Sequence, residues 1–163
     1  MSAAPVVALT DEQIDSGANS IIRKHMLWAM GAGLVPIPWV DMVAIAGVQL
    51  KMLSDLAGKY KIPFSESRGK AIIGTLVGTV VPGQLAAGFL GGAVKMIPFV
   101  GFVTVPAFAG ASTYALGKVF EQHFASGGTF LDFNPEEVRK HFQELYQKGK
   151  KEAKHLASEA GLA

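Results

Sequence analysis

The chain has 163 residues, enough for one domain but too few for two domains with separate large cores. Half of the residues are hydrophobic and only 17% are charged, where soluble domains average roughly 25%, so the composition favours a membrane-associated protein. The net charge of +2 is too small for a strong electrostatic footprint on nucleic acid, and the lack of cysteine excludes disulfides, thiolate metal sites and cysteine nucleophiles.

The first predicted helix covers residues 11–34. Thr10 followed by Gln13 is a Thr-x-x-Gln capping box, in which the two side chains satisfy backbone N–H groups at a helix start. The polar end of this helix comes first, and residues 26–50 then contain a single charge. A charge-poor stretch of this length indicates contact with lipid or deep burial.

Two prolines interrupt that first apolar block. Because Pro36 and Pro38 lack a backbone donor and disfavour helical geometry in the residue before them, we predict a turn at 35–38 and a second helix over 38–61. The one charge of the block, Asp41, falls in the first turn of that helix, where a carboxylate complements the helix dipole. As the alternative, an intramembrane acid at this position relays protons or binds a cation.

The second apolar block is longer. Residues 71–117 contain a single charge, Lys95, and exceed by about twofold the roughly 20 residues that cross a bilayer as a helix. The interruption from Lys95 to Pro98 predicts two helices, over about 71–94 and 99–120, joined at a tip. At that tip the Lys95 side chain either snorkels to lipid headgroups or pairs with a partner.

Small residues recur at four-residue spacing in the first half of this block, which is typical of closely packed helices in membranes. Close packing within a hairpin is one interpretation, and self-association of the chain is the other. The predicted helix-packing residues are Gly74, Gly78, Ala87, Gly88, Gly91 and Gly92.

The two blocks are related by a shift of 60 residues, which lays Ile37-Pro38-Trp39-Val40 over Ile97-Pro98-Phe99-Val100. Each half then reads as helix, Ile-Pro turn, helix, as internal repeats in membrane folds do. We therefore predict an all-α, membrane-associated fold of two helical hairpins with a pseudo-repeat of about 60 residues.

A last amphipathic helix is predicted over about 135–158. Asn134 suits the N-cap, Pro135 suits the first helical position, and acidic residues follow in the first turn. The chain then divides into a polar helix start at 1–20, a double-hairpin membrane domain at 21–124, and a linker with this helix at 125–163.

The hairpin arrangement places every lysine and arginine except Lys95 on one side of the membrane. The positive-inside rule identifies that side as the cytoplasm, so both termini are predicted to be cytoplasmic. A model with three spans would instead divide the basic residues between the two sides.

Motifs of known chemistry are absent from the sequence. The Gly-Lys pairs lack the spacing of a phosphate-binding loop, and neither a G-x-S-x-G elbow nor an H-E-x-x-H motif occurs. His141 with Glu137 and Glu144 could in principle hold a metal, but such neighbours on an exposed helix are usually only solvated. We predict no enzyme activity, cofactor or metal site.

Two stretches carry a resemblance to a known family. Leu27-Trp28-Ala29-Met30-Gly31-Ala32-Gly33-Leu34-Val35-Pro36-Ile37-Pro38 with Asp41 is the first, and Gly110-Ala111-Ser112-Thr113-Tyr114-Ala115-Leu116-Gly117 followed by Gly127-Gly128-Thr129-Phe130 is the second. Over about residues 19–150 the chain resembles the uncharacterised YcjF-like family of bacterial membrane proteins, some of which carry the domain behind an Era-like GTPase domain. The resemblance implies a bacterial inner-membrane module and a GTPase partner that acts in trans.

The function predicted from these features is a non-enzymatic helical module in the membrane. It serves as a scaffold or recruits a partner, and it self-assembles through its small-residue faces. Two alternatives remain open at this point: a soluble helical bundle that inserts into lipid on demand, as pore-forming domains do, and a small channel or transporter subunit that uses Asp41 and Lys95.

Overall fold

The computed structural model describes residues 11–34, 40–81 and 98–161. These residues form five helices and no strand, so the predicted all-α fold is confirmed. The helices are α1 (Asp11–Ala32), α2 (Val40–Lys59), α3 (Glu66–Gly78), α4 (Pro98–Ala125) and α5 (Pro135–Glu159).

Helix α3 differs from the helix predicted over 71–94, of which residues 82–94 lie outside the described ranges. Helix α3 begins five residues earlier, at Glu66, and ends at Gly78. Beyond Gly78 the Thr79 hydroxyl donates to the Leu76 carbonyl at 2.6 Å, and the Val80 N–H donates to the Val77 carbonyl at 3.1 Å. These bonds close a turn in place of another helical turn, and Pro82 follows in the sequence, which disfavours helical geometry at the residue before it.

Among the described ranges, no helix combines the length and the apolar character that crossing a bilayer requires. The membrane-spanning helices predicted from the two apolar blocks are therefore not supported there. The predicted tip at 35–38 and residues 95–97 of the tip predicted at 95–98 lie outside the described residues, as does Thr10 of the predicted capping box.

Helix α4 is the central element of the fold, because it packs against each of the other four helices. Its buried residues include Phe108, Ala115, Leu116 and Phe120, all at most 1% exposed. A helix that is apolar on every side must be surrounded by lipid or by other helices. Here α1, α2, α3 and α5 surround it, and the main core draws residues from all five helices.

Helices α4 and α5 run antiparallel. The early α5 residue Phe142 and the late one Leu156 are both buried, and the position where a Gly110 Cβ would stand lies 2.8 Å from the Ala153 Cβ. At the other end of the pair, the Phe120 and Phe133 rings stack with centroids 4.5 Å apart. The C-terminal half of α5 therefore lies beside the N-terminal half of α4.

The start of α5 is as predicted. Pro135 occupies the first helical position, and the Asn134 side chain accepts a hydrogen bond from the Glu136 N–H at 3.1 Å.

We expect Asn134→Ala to lower the free energy of unfolding by about 1 kcal/mol, because the Glu136 N–H loses its acceptor. Urea unfolding followed by circular dichroism measures the change. Asn134→Asp, which keeps an acceptor oxygen, is the control and should stay near the parent; an equal loss in both variants would contradict the capping role.

Candidate functional site

One candidate site in the described part of the chain is an apolar cavity of about 450 Å³ between α2, α3 and α4. Its volume lies within the range of roughly 300–1,000 Å³ that small-molecule sites occupy. The residues that line it are Met42, Ile45, Ala46, Gln49, Ile73, Gly74, Val77, Gly78, Val81 and Phe108. An apolar side chain, acyl chain or helix face matches such a lining better than a polar metabolite does.

Among the described residues of that lining, Gln49 is the one polar side chain, and it is 1% exposed. Its amide Nε2 donates to the Ser112 hydroxyl at 3.0 Å and to the Thr113 hydroxyl at 3.2 Å, which joins α2 to α4. The Ser112 hydroxyl in turn donates to the Ala109 carbonyl at 3.3 Å. Both amide hydrogens of Gln49 are therefore hydrogen-bonded, and these bonds hold α2 against α4.

Two of the predicted helix-packing residues line this cavity. At Gly74 and Gly78 an added Cβ would meet no heavy atom within 4 Å in the described part of the chain. The surface they form is thus open, and helix packing through it stays a prediction. Asp41 is the second residue of α2, and Pro98, which was predicted in the second hairpin turn, is the first residue of α4. The roles predicted for both residues stay predictions.

The remaining predicted site residues fall outside the described ranges. They are Pro36, Pro38, Ala87, Gly88, Gly91, Gly92 and Lys95. Their roles at the hairpin tips and in helix packing therefore stay predictions.

A buried histidine that sequence reasoning missed lies between α1 and α2. His25 is 0% exposed, and its Nδ1 lies 2.8 Å from the Ile21 carbonyl oxygen, which places a proton on Nδ1. Its Nε2 lies 3.3 Å from the Asp55 carboxylate without forming a hydrogen bond. The Lys24 ammonium lies 3.8 Å from the same carboxylate, and Lys51 forms an ion pair with it.

Burial lowers the pKa of His25, against the opposing effects of the Ile21 carbonyl and of Asp55. The folded chain thus resists protonation that the unfolded chain accepts near pH 6.5. We expect the free energy of unfolding to fall as the pH is lowered through about 6.5 and to level off below the folded-state pKa. Unfolding at pH 7.5, 6.5 and 5.5, values set around the ordinary histidine pKa of about 6.5, tests this.

In that titration, His25→Gln should lose most of the pH dependence that the parent shows. The matched control is His155→Gln, because that side chain is 67% exposed. If both variants keep the slope of the parent chain, burial of His25 is not its source.

The stretch Gly127-Gly128-Thr129-Phe130, which carried part of the family resemblance, forms the corner between α4 and α5. Gly127 has a φ of 89°, a value that glycine adopts without strain, and the Gly128 N–H donates to the His123 carbonyl at 2.9 Å. A Cβ at Gly128 would stand 2.3 Å from the His123 ring. Phe130 is buried under this corner.

His123 fastens the same corner through its side chain. Its Nε2 lies 2.9 Å from the Thr129 carbonyl oxygen and 3.1 Å from Asp132 Oδ1, so this nitrogen carries the proton and donates. The Thr129 N–H also donates to Asp132 Oδ1, at 2.7 Å, and this bond holds the pKa of the Asp132 carboxyl below its ordinary value. These hydrogen bonds give His123, Thr129 and Asp132 a structural role at the corner.

The histidine considered as a metal ligand has other partners. The His141 Nε2 lies 2.7 Å from the Gln122 Oε1, and its Nδ1 is 3.9 Å from the Glu144 carboxylate. Within residues 11–34, 40–81 and 98–161, no three histidine or acidic side chains are grouped to hold a metal ion.

Sequence reasoning could have found Gln49 and His25 only in part. Gln49 is a polar residue inside a charge-poor block, which signals a buried polar group that needs a partner. Its partners, Ser112 and Thr113, lie 63 and 64 residues away. Nothing in the local sequence distinguishes His25 from its solvated neighbours Arg23 and Lys24.

Comparison with known proteins found a matching family and a similar protein. The family described as a domain of unknown function (DUF697) matches residues 4–151. The chain is 35% identical over 140 residues to "Magnetosome membrane protein 22" of Magnetospirillum gryphiswaldense, a match that covers 83% of this chain and 72% of that protein. No solved structure matches the chain.

Proposed function

We propose that this chain, which belongs to the DUF697 family, is a non-enzymatic scaffold that works at a bacterial membrane. The observation that carries the proposal is the similarity to a magnetosome membrane protein across most of both chains. The match to a family of unknown function agrees with the expected uncharacterised family, and the likeness to YcjF-like proteins in particular stays a prediction. A GTPase fused to relatives is not part of that finding, and a GTPase that acts in trans stays our proposal for a partner.

The described side chains support a binding role over catalysis. The cavity between α2, α3 and α4 is almost wholly apolar, and its polar member, Gln49, is occupied by two hydroxyls. Outside this cavity, His25 is buried beside the half-buried Asp55 carboxylate, which Lys24 and Lys51 also contact. Such an arrangement suits a surface that holds another molecule in place.

The charge distribution supports the inner membrane as the location, with both termini in the cytoplasm. The open small-residue surface at Gly74 and Gly78 supports self-association, since small residues let helix backbones approach closely. Both points extend the scaffold proposal, and each can fail without the other.

Fractionation of cells that express the full chain tests the proposal. We expect the chain in the membrane pellet, and we expect chemical cross-linking there to capture neighbouring proteins. Recovery of the chain wholly in the high-speed supernatant would contradict membrane association. Association with membranes that requires no other protein and captures none would contradict the scaffold role.

A second candidate is a helical bundle that opens and inserts α4 into lipid. The observation that favours it is the position of this apolar helix, which is surrounded by the four others. Insertion predicts leakage of a dye from lipid vesicles when the purified chain is added. Vesicles that remain sealed at every protein concentration would remove this candidate.

A further inference from the structure

The outer face of α5 is a lysine-rich surface. The apolar side of this helix is buried against the rest of the bundle, through Phe142, Leu145, Tyr146, Gly149, Ala153 and Leu156. On the opposite side, all exposed, are Lys140, Lys148, Lys151 and Lys154, which we call the α5 lysine face. Steps of three residues keep the last three on one side of the helix.

These lysines differ from most basic residues elsewhere in the fold. On the other helices, Lys51 pairs with Asp55, Lys70 with Glu66 and Lys118 with Glu121. Within the described ranges the four members of the α5 lysine face form no ion pair.

The acidic residues of α5 do not neutralise this face. Glu136 pairs with Arg139, and Glu159 lies 2.8 Å from the Arg23 side chain of α1. Glu144 is on the outer side but approaches His141. From Lys148 to Lys154 the only acid is Glu152, which lines a separate cavity between α1, α4 and α5. The C-terminal half of the lysine face therefore keeps its positive charge.

We propose that the α5 lysine face binds the surface of an anionic lipid bilayer. The inference rests on the proposed membrane function and adds the contact surface and the class of lipid. Because the apolar side of α5 is already buried, the helix would lie on the headgroups and would not insert. Lysines are compact point charges, and an anionic leaflet attracts each of them by about 1 kcal/mol near its surface.

Nucleic acid is the other polyanion that such a face could attract. Sequence-specific readers and single-strand binders combine basic residues with arginine forks or with exposed aromatic rings. The aromatic neighbour here, Tyr146, is 5% exposed, and the Lys150 ammonium lies over its ring at 5.1 Å. The α5 lysine face offers charge without a stacking platform, which favours a lipid surface.

Vesicle sedimentation with the full chain tests the proposal. The probe is a phosphatidylcholine vesicle with about 30% phosphatidylglycerol, compared with pure phosphatidylcholine, because only the first carries the surface charge that attracts lysine. We expect Lys148→Gln with Lys151→Gln and Lys154→Gln to bind roughly 100-fold more weakly, and binding by the parent to fall as salt is raised. The matched control neutralises three lysines elsewhere, with Lys51→Gln, Lys61→Gln and Lys70→Gln, and should bind almost as the parent does.

A second measurement does not depend on these variants. The chain has no cysteine, so Lys151→Cys and Ser67→Cys each give one labelling site for a polarity-sensitive dye. We expect anionic vesicles to change the emission at position 151 and not at position 67.

The outcomes separate this inference from the proposed function. Equal loss in both triple variants, or an equal response at both dyes, overturns the α5 lysine face as the contact surface. Binding that is equally strong on pure phosphatidylcholine overturns the α5 lysine face as the contact surface and leaves the proposed membrane association standing. If the chain binds neither vesicles nor isolated membranes, both the lysine face and the proposed membrane function are contradicted. Tighter binding to duplex DNA than to anionic vesicles at the same salt would make nucleic acid the partner and refute the lipid assignment.

Discussion

Gly149→Ala is expected to lower the free energy of unfolding by about 3 kcal/mol. At Gly149 helix α5 approaches α4 closely: a Cβ there would stand 2.6 Å from the Ala111 carbonyl oxygen and 3.0 Å from the Ala111 Cα. These are backbone atoms in a central helix, so no rotamer change can relieve the clash. The two helices must move apart, which loosens the packing of Phe142, Leu145 and Ala153 along the whole interface.

The matched control is the same substitution at Gly47. This glycine lies inside α2, and an added Cβ would meet no heavy atom within 4 Å in the described residues. Gly47→Ala should therefore raise the free energy of unfolding by up to about 1 kcal/mol, since alanine has the higher helix propensity. Guanidinium unfolding of the two variants beside the parent gives both values. A loss in Gly149→Ala of less than about 1 kcal/mol, the lower limit for overpacking, would show that α4 and α5 are not in contact at this point.

Local sequence patterns predicted the bounds of α5 but not the helix that it packs against. Asn134, Pro135 and the acids that follow are local signals, and the helix begins and ends within a residue of the predicted bounds. The spacing of Phe142, Leu145 and Leu156 is that of the amphipathic helix predicted there, and all three are buried. Which helix receives that face is set by contacts distant in the sequence, such as Gly149 with Ala111, and a single sequence does not contain that information.

The second apolar block shows where a sequence pattern did not identify the environment of a helix. The lack of charge from residue 71 to residue 117 predicted membrane-spanning helices, because a helix that is apolar on all sides needs an apolar environment. The centre of a helical bundle is also such an environment, and α4 occupies it, with Phe108, Leu116 and Phe120 buried. Composition cannot distinguish the two environments. The end of α3 at Gly78 was missed for a related reason, since hydropathy does not report the hydroxyl bond of Thr79 to the Leu76 carbonyl.

Phe120→Ala is expected to cost about 4 kcal/mol of unfolding free energy. Phe120 is 0% exposed and lies at the end of α4, where its ring stacks on Phe133 at 4.5 Å and meets Phe124 and Phe130 at 5.3 Å each. Removal of the ring takes one member from every one of these pairs and leaves a cavity that the surrounding aromatic residues can fill only in part. The corner between α4 and α5 is held by this cluster, so we expect α5 to lose protection from amide hydrogen exchange.

The control for that substitution is Leu131→Ala, one residue after Phe130 in the same corner. Leu131 is 74% exposed, so its truncation should change stability by less than about 0.5 kcal/mol. Hydrogen exchange adds a test that stability alone does not provide, because a general loss of stability raises exchange in all five helices together. If α5 and α1 lose protection equally in Phe120→Ala, the aromatic cluster supports the whole bundle. If faster exchange is confined to α5, the cluster attaches only this helix, which carries the α5 lysine face. In that second case the variant should also bind anionic vesicles more weakly while keeping its lysines, because the face would no longer be held rigid on α4.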